Sequence, residues 1–345
     1  MKRRLAEVAA RAGVSEATVS RVLNSKPGVS DATRETVLTA LDVLGYERPT
    51  KLRGERARLV GLVIPELSNP IFPALAEVVV ALLAQNGLTP VLCTLTSDPA
   101  GEPNYVDMLL EQQQVAGIVF AGGLYSQGDA DHSHYDRIAR RKLPVVLINA
   151  GIDRLPFPRV VCDDASAAEQ AVAHLRSLGH ERIGLILGPR DHEPSTRKLE
   201  AARAVLAGTG SPLDDDLVVH CQFSLQSGQS GASALLARGA TGLVCASDPL
   251  ALGAVRAARR AGRRVPDDVS VIGYDDSAFM SSVEPPLTTV RQPIEAMGRA
   301  AVSSLLAQIR GEETAVDELL FEPELVVRRS TSPASGALPA ARTES

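Results

Sequence analysis

Two patterns of hydrophobic and polar residues follow one another along the chain, and the change falls near residue 59. Before it, apolar residues recur at helical spacing, as between Leu5 and Ala12, which predicts amphipathic helices. After it, short continuous runs rich in Val, Ile and Leu, such as 59–65 and 116–123, alternate with helical stretches. Such runs are typical of strands that are buried on both faces of a parallel sheet.

Three short helices are predicted in the first 46 residues. The segment VSEATVSRVLN, residues 14–24, has its apolar residues on one helical face, and Ser15 can cap its N-terminus. A short turn containing Gly13 joins it to the preceding helix, and a third helix follows Ser30. Two helices joined by a short turn that contains glycine form a helix-turn-helix unit. The polar face of residues 14–24 is therefore a candidate contact surface.

The β/α pattern after residue 59 occurs in two successive series. We therefore predict an α/β fold, in which a helix-turn-helix three-helix head precedes two doubly wound parallel-sheet subdomains. The predicted boundaries are 1–46 for the head, 47–58 for a hinge or linker, about 59–158 and 291–316 for the N-subdomain, about 159–290 and 317–330 for the C-subdomain, and 331–345 for a disordered polar tail.

The distribution of charge separates the head from the rest of the chain. The formal net charge is −5, but residues 1–58 carry 12 Lys and Arg against 7 Asp and Glu, a net charge of +5 that leaves −10 on the remainder. A basic head on an acidic body indicates that the head approaches a polyanion. Chance clustering over so short a stretch is the alternative that charge alone leaves open.

The composition is ordinary for a folded globular protein, with 45% hydrophobic and 22% charged residues. No apolar run reaches the roughly 20 residues that a membrane helix needs, and no apolar segment follows the basic N-terminus. We therefore expect no signal peptide and a cytoplasmic location. The four cysteines are scattered, without a C-x-x-C pair or a histidine at ligand spacing, so we expect reduced thiols and neither a metal nor another cofactor.

Several motifs resemble, in the same order, those of the lac repressor/galactose repressor (LacI/GalR) family of transcriptional regulators. LAEVAARAGVSEATVSRVLN resembles the DNA-binding unit of that family. Four further segments resemble landmarks of that family's effector domain: LVGLVIPELSNPIF, HLRSLGHERIGLILGP, RRVPDDVSVIGYDDS and PPLTTVRQPIEAMGRAAVSSLL. The resemblance therefore covers about residues 5–330. It implies a homodimeric repressor that binds near-palindromic operator DNA. It also implies a periplasmic-binding-protein-like core that holds a sugar-like or nucleoside-like effector between its subdomains.

The resemblance implies DNA contacts at seven positions of the head: Ser15, Glu16, Ala17, Thr18, Ser20, Arg21 and Asn24. Of these, Glu16, Ala17 and Arg21 occupy positions that read bases in the family. Arg21 can donate two hydrogen bonds to guanine. Glu16 has two open interpretations, because it could accept from a cytosine amine or could face solvent and stabilise the positive N-terminus of its helix.

The linker departs from the family pattern. Many members have a hinge helix whose leucine wedges into the minor groove, and such wedges kink the duplex. Here GYERPTKLRGERARLVGL is a few residues shorter, and Gly54 interrupts any helix. Leu52 is the one candidate wedge, with burial against the protein as the open alternative. Lys51 and Arg53 are expected to contact phosphates.

The resemblance also implies an effector cleft at the carboxyl ends of the strands, where open α/β sheets bind ligands. The candidate residues are Asn69, Phe72, Asp163, Arg197, Lys198, Asp248 and Asp275. Asp275 matches the family aspartate that bonds effector hydroxyls, whereas helix capping is an open alternative for Asp163 and Asp248. Lys198 falls near the position of a common family arginine. Lysine lacks the planar guanidinium with which arginine binds a carboxylate through two hydrogen bonds, so this difference disfavours an effector with a carboxylate.

Two other classes of function are alternatives to a DNA-binding regulator, an enzyme and a solute-binding protein. An enzyme could use the pair Asp275 and Asp276, but neighbouring residues on a strand point to opposite faces. The sequence also has no Gly-rich phosphate loop or nucleophile elbow. A transporter's solute-binding protein would fit the α/β portion but not the fused basic head. The sequence predicts a regulator rather than an enzyme, and it leaves open the effector, the operator and whether the ligand releases or strengthens DNA binding.

Overall fold

The computed structural model describes residues 2–23, 28–44, 58–95, 101–113, 115–151, 155–312 and 318–334. The chain divides into two compact units between Arg58 and Leu59, where the hydrophobic pattern changes. Four predicted DNA-contacting residues lie outside the described ranges: Asn24, Lys51, Leu52 and Arg53. In the part of the chain that the structure describes, no helix is both long and apolar enough to cross a membrane.

The first unit consists of three helices, α1 (Lys2–Ala12), α2 (Glu16–Leu23) and α3 (Asp31–Val43). Small aliphatic residues on their inward faces form its core: Val8, Ala9, Val19, Val22, Val37, Ala40 and Leu41. The Ser15 hydroxyl accepts from the amide of Thr18 at 3.1 Å, and the Ser30 hydroxyl accepts from the amide of Thr33 at 3.2 Å. The bond at Ser15 confirms the predicted cap, and both bonds satisfy amides that a helix N-terminus leaves unpaired.

The second unit contains two six-stranded sheets. Its strands are β1 (Arg58–Ile64), β2 (Leu88–Thr94), β3 (Gly117–Phe120), β4 (Val145–Ile148), β5 (Arg159–Cys162), β6 (Ile183–Leu187), β7 (Val218–His220), β8 (Gly242–Cys245), β9 (Ser270–Asp275), β10 (Thr288–Arg291), β11 (Glu318–Phe321) and β12 (Glu324–Val326). The first sheet has the order β11-β5-β4-β3-β1-β2, and the second has the order β12-β10-β9-β8-β6-β7. The central strands pair in parallel, and β12 adds an antiparallel edge.

Helices cover these sheets, as the alternation of apolar runs and helical stretches predicts. They are α4 (Ile71–Gln85), α5 (Gly101–Asp107), α6 (Ser133–Arg140), α7 (Asp164–Ser177), α8 (Glu193–Gly208), α9 (Leu225–Ala237), α10 (Asp248–Arg260) and α11 (Ile294–Ile309). α5 continues as a π-helix over Met108–Gln113, and single 3-10 turns span Leu124–Ser126 and Asp215–Leu217. We define the N-subdomain as the first sheet with α4–α6 and α11, and the C-subdomain as the second sheet with α7–α10.

Two of the predicted subdomain boundaries are wrong. β5 lies in the first sheet, so the chain leaves the N-subdomain after Cys162 and not at residue 158. β11 returns to the first sheet beside β5, although residues 317–330 were assigned to the C-subdomain, and only β12 lies in the second sheet. The physical reason is that both are four-residue strands. The sequence of so short a strand does not show which distant strand it pairs with.

The predicted disordered tail begins too early. The amide of Ser332 donates to the hydroxyl of Ser270 at 3.0 Å, and the amide of Ala334 donates to the carbonyl of Leu178 at 2.8 Å. The ring Nε2 of His180 lies 3.0 Å from the carbonyl oxygen of Ser332. The polar composition favoured disorder, but buried polar groups of the C-subdomain bind this segment. Residues 331–334 are therefore part of the fold, and residues 335–345 lie outside the described ranges.

Candidate functional site

Helix α2 presents a polar face to solvent. Glu16, Ala17 and Arg21 are exposed, whereas Val19 and Val22 are fully buried. The two valines hold the helix against the core of the first unit, so the three predicted base-reading residues lie together on the outward side. An outward polar helix face is the geometry that reads base edges in a major groove.

Thr18 and Ser20, two other predicted DNA-contacting residues, lie on the same helix, and Ser15 directly precedes it. Ser15 and Thr18 have their hydroxyl oxygens 2.9 Å apart, in addition to the cap between them. Thr18 and Ser20 are half-buried, and Ser15 is exposed. Because the Ser15 and Thr18 side chains are bonded to each other and to the backbone, they fix the first turn of α2.

A cavity of about 780 Å³ lies between the N-subdomain and the C-subdomain. Its lining comes from segments at the carboxyl ends of strands in both sheets, because parallel strands end at the same edge. The structure brings four of the predicted effector residues together there: Asn69, Phe72, Lys198 and Asp275. The volume lies within the range of about 300–1,000 Å³ that is usual for small-molecule sites.

Asp275 connects the two sides of this cavity. Its Oδ1 accepts from Nε2 of Gln292 at 2.7 Å, and its Oδ2 accepts from Nδ2 of Asn69, in the N-subdomain, at 3.4 Å. Its backbone φ of +117° is strained for a residue with a Cβ atom, and such strain is concentrated at functional sites. Burial raises the pKa of the carboxyl group well above its usual range, and the nearby Asp248 adds to the rise. The carboxyl group is thus held by amide donors at a position where ligand hydroxyls can reach it.

Lys198 reaches the cavity from α8 and forms an ion pair with Asp164, the first residue of α7. Its Nζ also lies 4.1 Å from the ring centroid of Tyr274. Lys198 is 8% exposed and Asp164 is 4% exposed, and all three residues line the cavity. The sequence predicts the neighbouring Asp163 as a cavity residue, and it does not predict Asp164. The available signal was a pair of acidic residues directly after a buried strand.

Arg197 does not line the cavity. Its guanidinium donates to Glu193 at 2.5 Å and to Glu318 of β11 at 3.4 Å. Glu318 also lies 3.5 Å from the guanidinium of Arg159. Because β11 belongs to the N-subdomain, this cluster joins the two subdomains outside the cavity.

Asp163 and Asp248 do not line the cavity either. Asp163 caps α7, since its carboxylate accepts from two amides of the first turn, both at 3.0 Å. Asp248 is fully buried and accepts from the amide of Ser277 at 2.7 Å and from the hydroxyl of Thr289 at 2.6 Å. Burial raises the pKa of Asp248 to about 6. Both carboxylates therefore support the C-subdomain and are not part of the candidate cavity site.

Asn149 is a cavity residue that the sequence analysis missed. It follows β4 with a φ of +76°, a left-handed conformation that asparagine tolerates better than most residues. Its Oδ1 is buried and has no hydrogen-bond partner within the described part of the chain. Because an unpaired buried acceptor costs free energy, this oxygen is a candidate acceptor for a ligand hydroxyl. An asparagine directly after a buried apolar run was the available signal.

Aromatic rings form part of the cavity wall. Phe72 comes from the N-subdomain and Phe223 from the C-subdomain, where the ring of His192 meets that of Phe223 edge to face at 5.1 Å. Burial lowers the pKa of His192 to about 3, so this imidazole is uncharged at neutral pH. The wall therefore offers apolar surface without adding charge.

The loop that follows β3 contributes backbone to the cavity. Gly123 adopts a φ of +151°, and a Cβ atom there would lie 2.4 Å from Oε2 of Glu102. Fully buried Glu102 accepts from the amide of Leu124 at 2.9 Å and contacts the ring of His134 at 2.8 Å. Further along, the amide of Gly128 donates to the carbonyl of Asp191 at 2.9 Å, which joins the two subdomains directly.

Comparisons with known proteins agree with this architecture. A model of bacterial regulatory proteins of the lacI family matches residues 4–49, and a model of a periplasmic binding protein-like domain matches residues 172–331. The HTH-type transcriptional regulator reg1 of Streptomyces lividans is 51% identical over 341 residues, which are 97% of this chain and 99% of reg1.

Two solved structures of regulators are similar over almost the whole chain. A complex of the transcriptional regulator CelR with cellobiose has a TM-score of 0.72 and 33% identity, and the match covers 94% of this chain and 99% of CelR. The lac repressor dimer bound to operator and the anti-inducer ONPF has a TM-score of 0.72 and 28% identity, covering 94% of this chain and 98% of the repressor chain.

A helix-turn-helix head joined to a periplasmic-binding-protein-like core defines a DNA-binding transcriptional regulator. The chain belongs to the lacI family of bacterial regulatory proteins. This confirms the predicted family, the α/β fold class and the regulatory function. Because these relatives are transcriptional regulators, the enzyme alternative is set aside.

Proposed function

We propose that this chain is a ligand-responsive repressor, which binds a near-palindromic operator in the cytoplasm as a homodimer. The observation that carries the proposal is the combination, in one chain, of an outward polar face on α2 and a cavity with polar side chains from both subdomains. A dimer places two copies of α2 on one duplex, and the two-fold axis of the protein then predicts two inverted half-sites.

The effector that best fits the cavity is a sugar-like molecule of about disaccharide size. Asn69, Asn149, Asp275 and Gln292 place amide and carboxyl groups around the cavity, and these can donate to and accept from hydroxyls. Phe72 and Phe223 supply the apolar surface on which a sugar ring can pack. CelR, a relative of similar structure, has been solved as a complex with cellobiose. A nucleoside-like effector is the alternative, since the same rings could stack on a base.

A thermal-shift screen of the full chain with disaccharides, monosaccharides, polyols and nucleosides tests the effector. A ligand that binds only the folded state raises the free energy of unfolding by about 2.7 kcal/mol at a hundred times its Kd. We expect a disaccharide to give the largest shift. A larger shift with a nucleoside would favour the alternative, and no shift with any polyhydroxylated compound would contradict the effector proposal.

Footprinting on the DNA next to the gene tests the operator. We expect protection of a near-palindrome and a change of affinity when the ligand from the screen is added. Equal affinity for that DNA and for scrambled DNA at physiological salt would contradict operator-specific binding. Sedimentation of the chain alone and with the duplex checks the homodimer.

A further inference from the structure

The charges that line the cavity include a buried pair whose role the proposed function does not explain. Lys198 and Asp164 come from different helices, α8 and α7, and meet at the cavity surface. A desolvated lysine alone would be a strong attractor for anions, because its charge is poorly screened there. Asp164 cancels that charge at contact distance, and both side chains are at least nine-tenths shielded from solvent.

No other described residue of the lining restores a positive charge. His192 is the other basic side chain there, and its lowered pKa of about 3 leaves it neutral. The guanidinium of Arg197, one residue before Lys198, is engaged by Glu193 and Glu318 outside the cavity. Asp275 and Glu66 line the cavity as well and can add only negative charge.

We propose that Asp164 is a specificity-determining residue, which neutralises Lys198 and thereby restricts the cavity to uncharged effectors. This rests on the proposed function, in which the cavity holds the effector. A phosphate or carboxylate needs unpaired cationic donors, and its desolvation costs free energy when none is available. Hydroxyls can instead donate to the Asp164 carboxylate and accept from the Lys198 ammonium without disturbing the charge balance.

The alternative is that the pair only ties α7 to α8 and has no effect on ligand charge. The two roles differ in what Asp164→Asn does. This nearly isosteric change leaves the Lys198 ammonium without its counter-charge and opens it to an anion in the cavity. A purely structural pair would lower stability without altering the relative affinity for charged and uncharged ligands.

The test is isothermal titration of the full chain, at about pH 7 and constant ionic strength, with cellobiose, a cellobiose phosphate monoester and inorganic phosphate. For wild type we expect the monoester to bind at least about tenfold more weakly than cellobiose. For Asp164→Asn we expect that preference to shift towards the monoester by at least about tenfold, together with measurable binding of inorganic phosphate.

Asp163→Asn is the matched control. It removes the same charge one residue away, at a side chain that caps α7 outside the cavity, and asparagine is an equally good cap. We expect its ligand preference to equal that of wild type. Combining Asp164→Asn with Lys198→Gln removes both charges and should restore rejection of the monoester, even if the single variant folds poorly.

The outcomes separate the inference from the proposed function. If cellobiose does not bind wild type but inorganic phosphate binds Asp164→Asn and not Asp163→Asn, the disaccharide proposal fails and the role of Asp164 stands. A folded Asp164→Asn that gains no affinity for either phosphate probe overturns the inference. A monoester that binds wild type as tightly as cellobiose also overturns it, whatever the variants do.

Discussion

Two buried carboxylates of the second unit have different partners and therefore different roles. Asp275 receives amide donors from Gln292 and from Asn69 of the opposite subdomain, at the cavity surface. Asp248 receives its donors from Ser277 and Thr289, away from the cavity. A change at Asp275 should therefore act on ligand binding, whereas a change at Asp248 should act on the stability of the C-subdomain.

Asp275→Asn is expected to lower effector affinity at least about tenfold, because a hydrogen bond to a charged or strongly polarised group contributes about 1.5–3 kcal/mol. The asparagine side chain can accept only through its single oxygen. It therefore also loses one of the two hydrogen bonds that Asp275 accepts from Gln292 and Asn69. Titration calorimetry with the stabilising ligand from the thermal-shift screen measures the change. Affinity for operator DNA without ligand should stay within about threefold of wild type.

Asp248→Asn is the comparison for that variant. We expect it to lower the free energy of unfolding by about 1–3 kcal/mol in urea titration, with little change in effector affinity for the folded protein. If Asp248→Asn weakens effector binding more than Asp275→Asn does, the assignment of the two carboxylates is wrong.

At the scale of single residues, the sequence predicts some of the residues that line the cavity. Asn69, Lys198 and Asp275 follow motifs whose order could be recognised, and they line the cavity. Asp164 and Asn149 were missed. Asp163 and Asp164 are adjacent, and which of them faces the cavity depends on where β5 ends and on the phase of α7. Those quantities come from tertiary packing, which a local pattern does not contain.

At the scale of the element, α2 combines a buried apolar edge with an exposed polar face. Arg21→Ala should lower affinity for the operator at least about tenfold and relax the base preference at one position per half-site, because a bidentate arginine discriminates by about 1–3 kcal/mol. Affinity for scrambled DNA should fall much less. Binding of systematically substituted operators measures both quantities.

Arg11→Ala is the matched control for that variant, since Arg11 is an exposed arginine in the last turn of α1. It removes the same charge from the head. We expect it to affect all DNA sequences equally and to leave the base preference unchanged. If the two variants behave alike, Arg21 acts through charge alone.

The segment after β12 is a second element with a testable role. Removing residues 331–345 should destabilise the second unit by about 1–3 kcal/mol relative to removing residues 335–345, because the buried side chains of Ser270 and His180 then lose their hydrogen bonds to Ser332. Urea titration of the two truncated chains measures the difference. Equal midpoints and slopes would show that residues 331–334 add no stability.

The type of most elements could be predicted from the sequence, but their assignment to a sheet could not in every case. The alternation of apolar runs and helical stretches predicts helices between the strands of the second unit, and three of these are α7, α9 and α10. Their N-termini follow Asp163, Ser224 and Ser247, whose side chains accept from backbone amides. β5 and β11 instead pair with each other across a long stretch of sequence, and neither strand carries a local mark of that partner.

At the scale of the whole molecule, the acid response should combine opposing contributions. Burial lowers the pKa of His174 and of His180 in the folded state, while the unfolded chain regains a value near about 6.5. The unfolded state then binds more protons, so this contribution to stability is present above about pH 6.5 and falls as the pH decreases. Asp248 has the opposite effect, because its pKa is raised to about 6 in the folded state. The folded state then binds more protons, so the contribution of Asp248 to stability declines as the pH rises.

His180→Gln isolates one of these contributions. Glutamine can donate and accept hydrogen bonds, as the ring of His180 does with Thr241 and Ser270, but it does not titrate. We expect wild type to exceed the variant in free energy of unfolding at about pH 7.5, and the excess to shrink towards about pH 5. This difference in free energy of unfolding should not change by more than about 1.4 kcal/mol per pH unit, which is the limit for one proton. Because Asp248 is present in both proteins, its opposing contribution cancels in the difference. A difference that stays constant with pH would mean that His180 keeps an ordinary pKa in the fold.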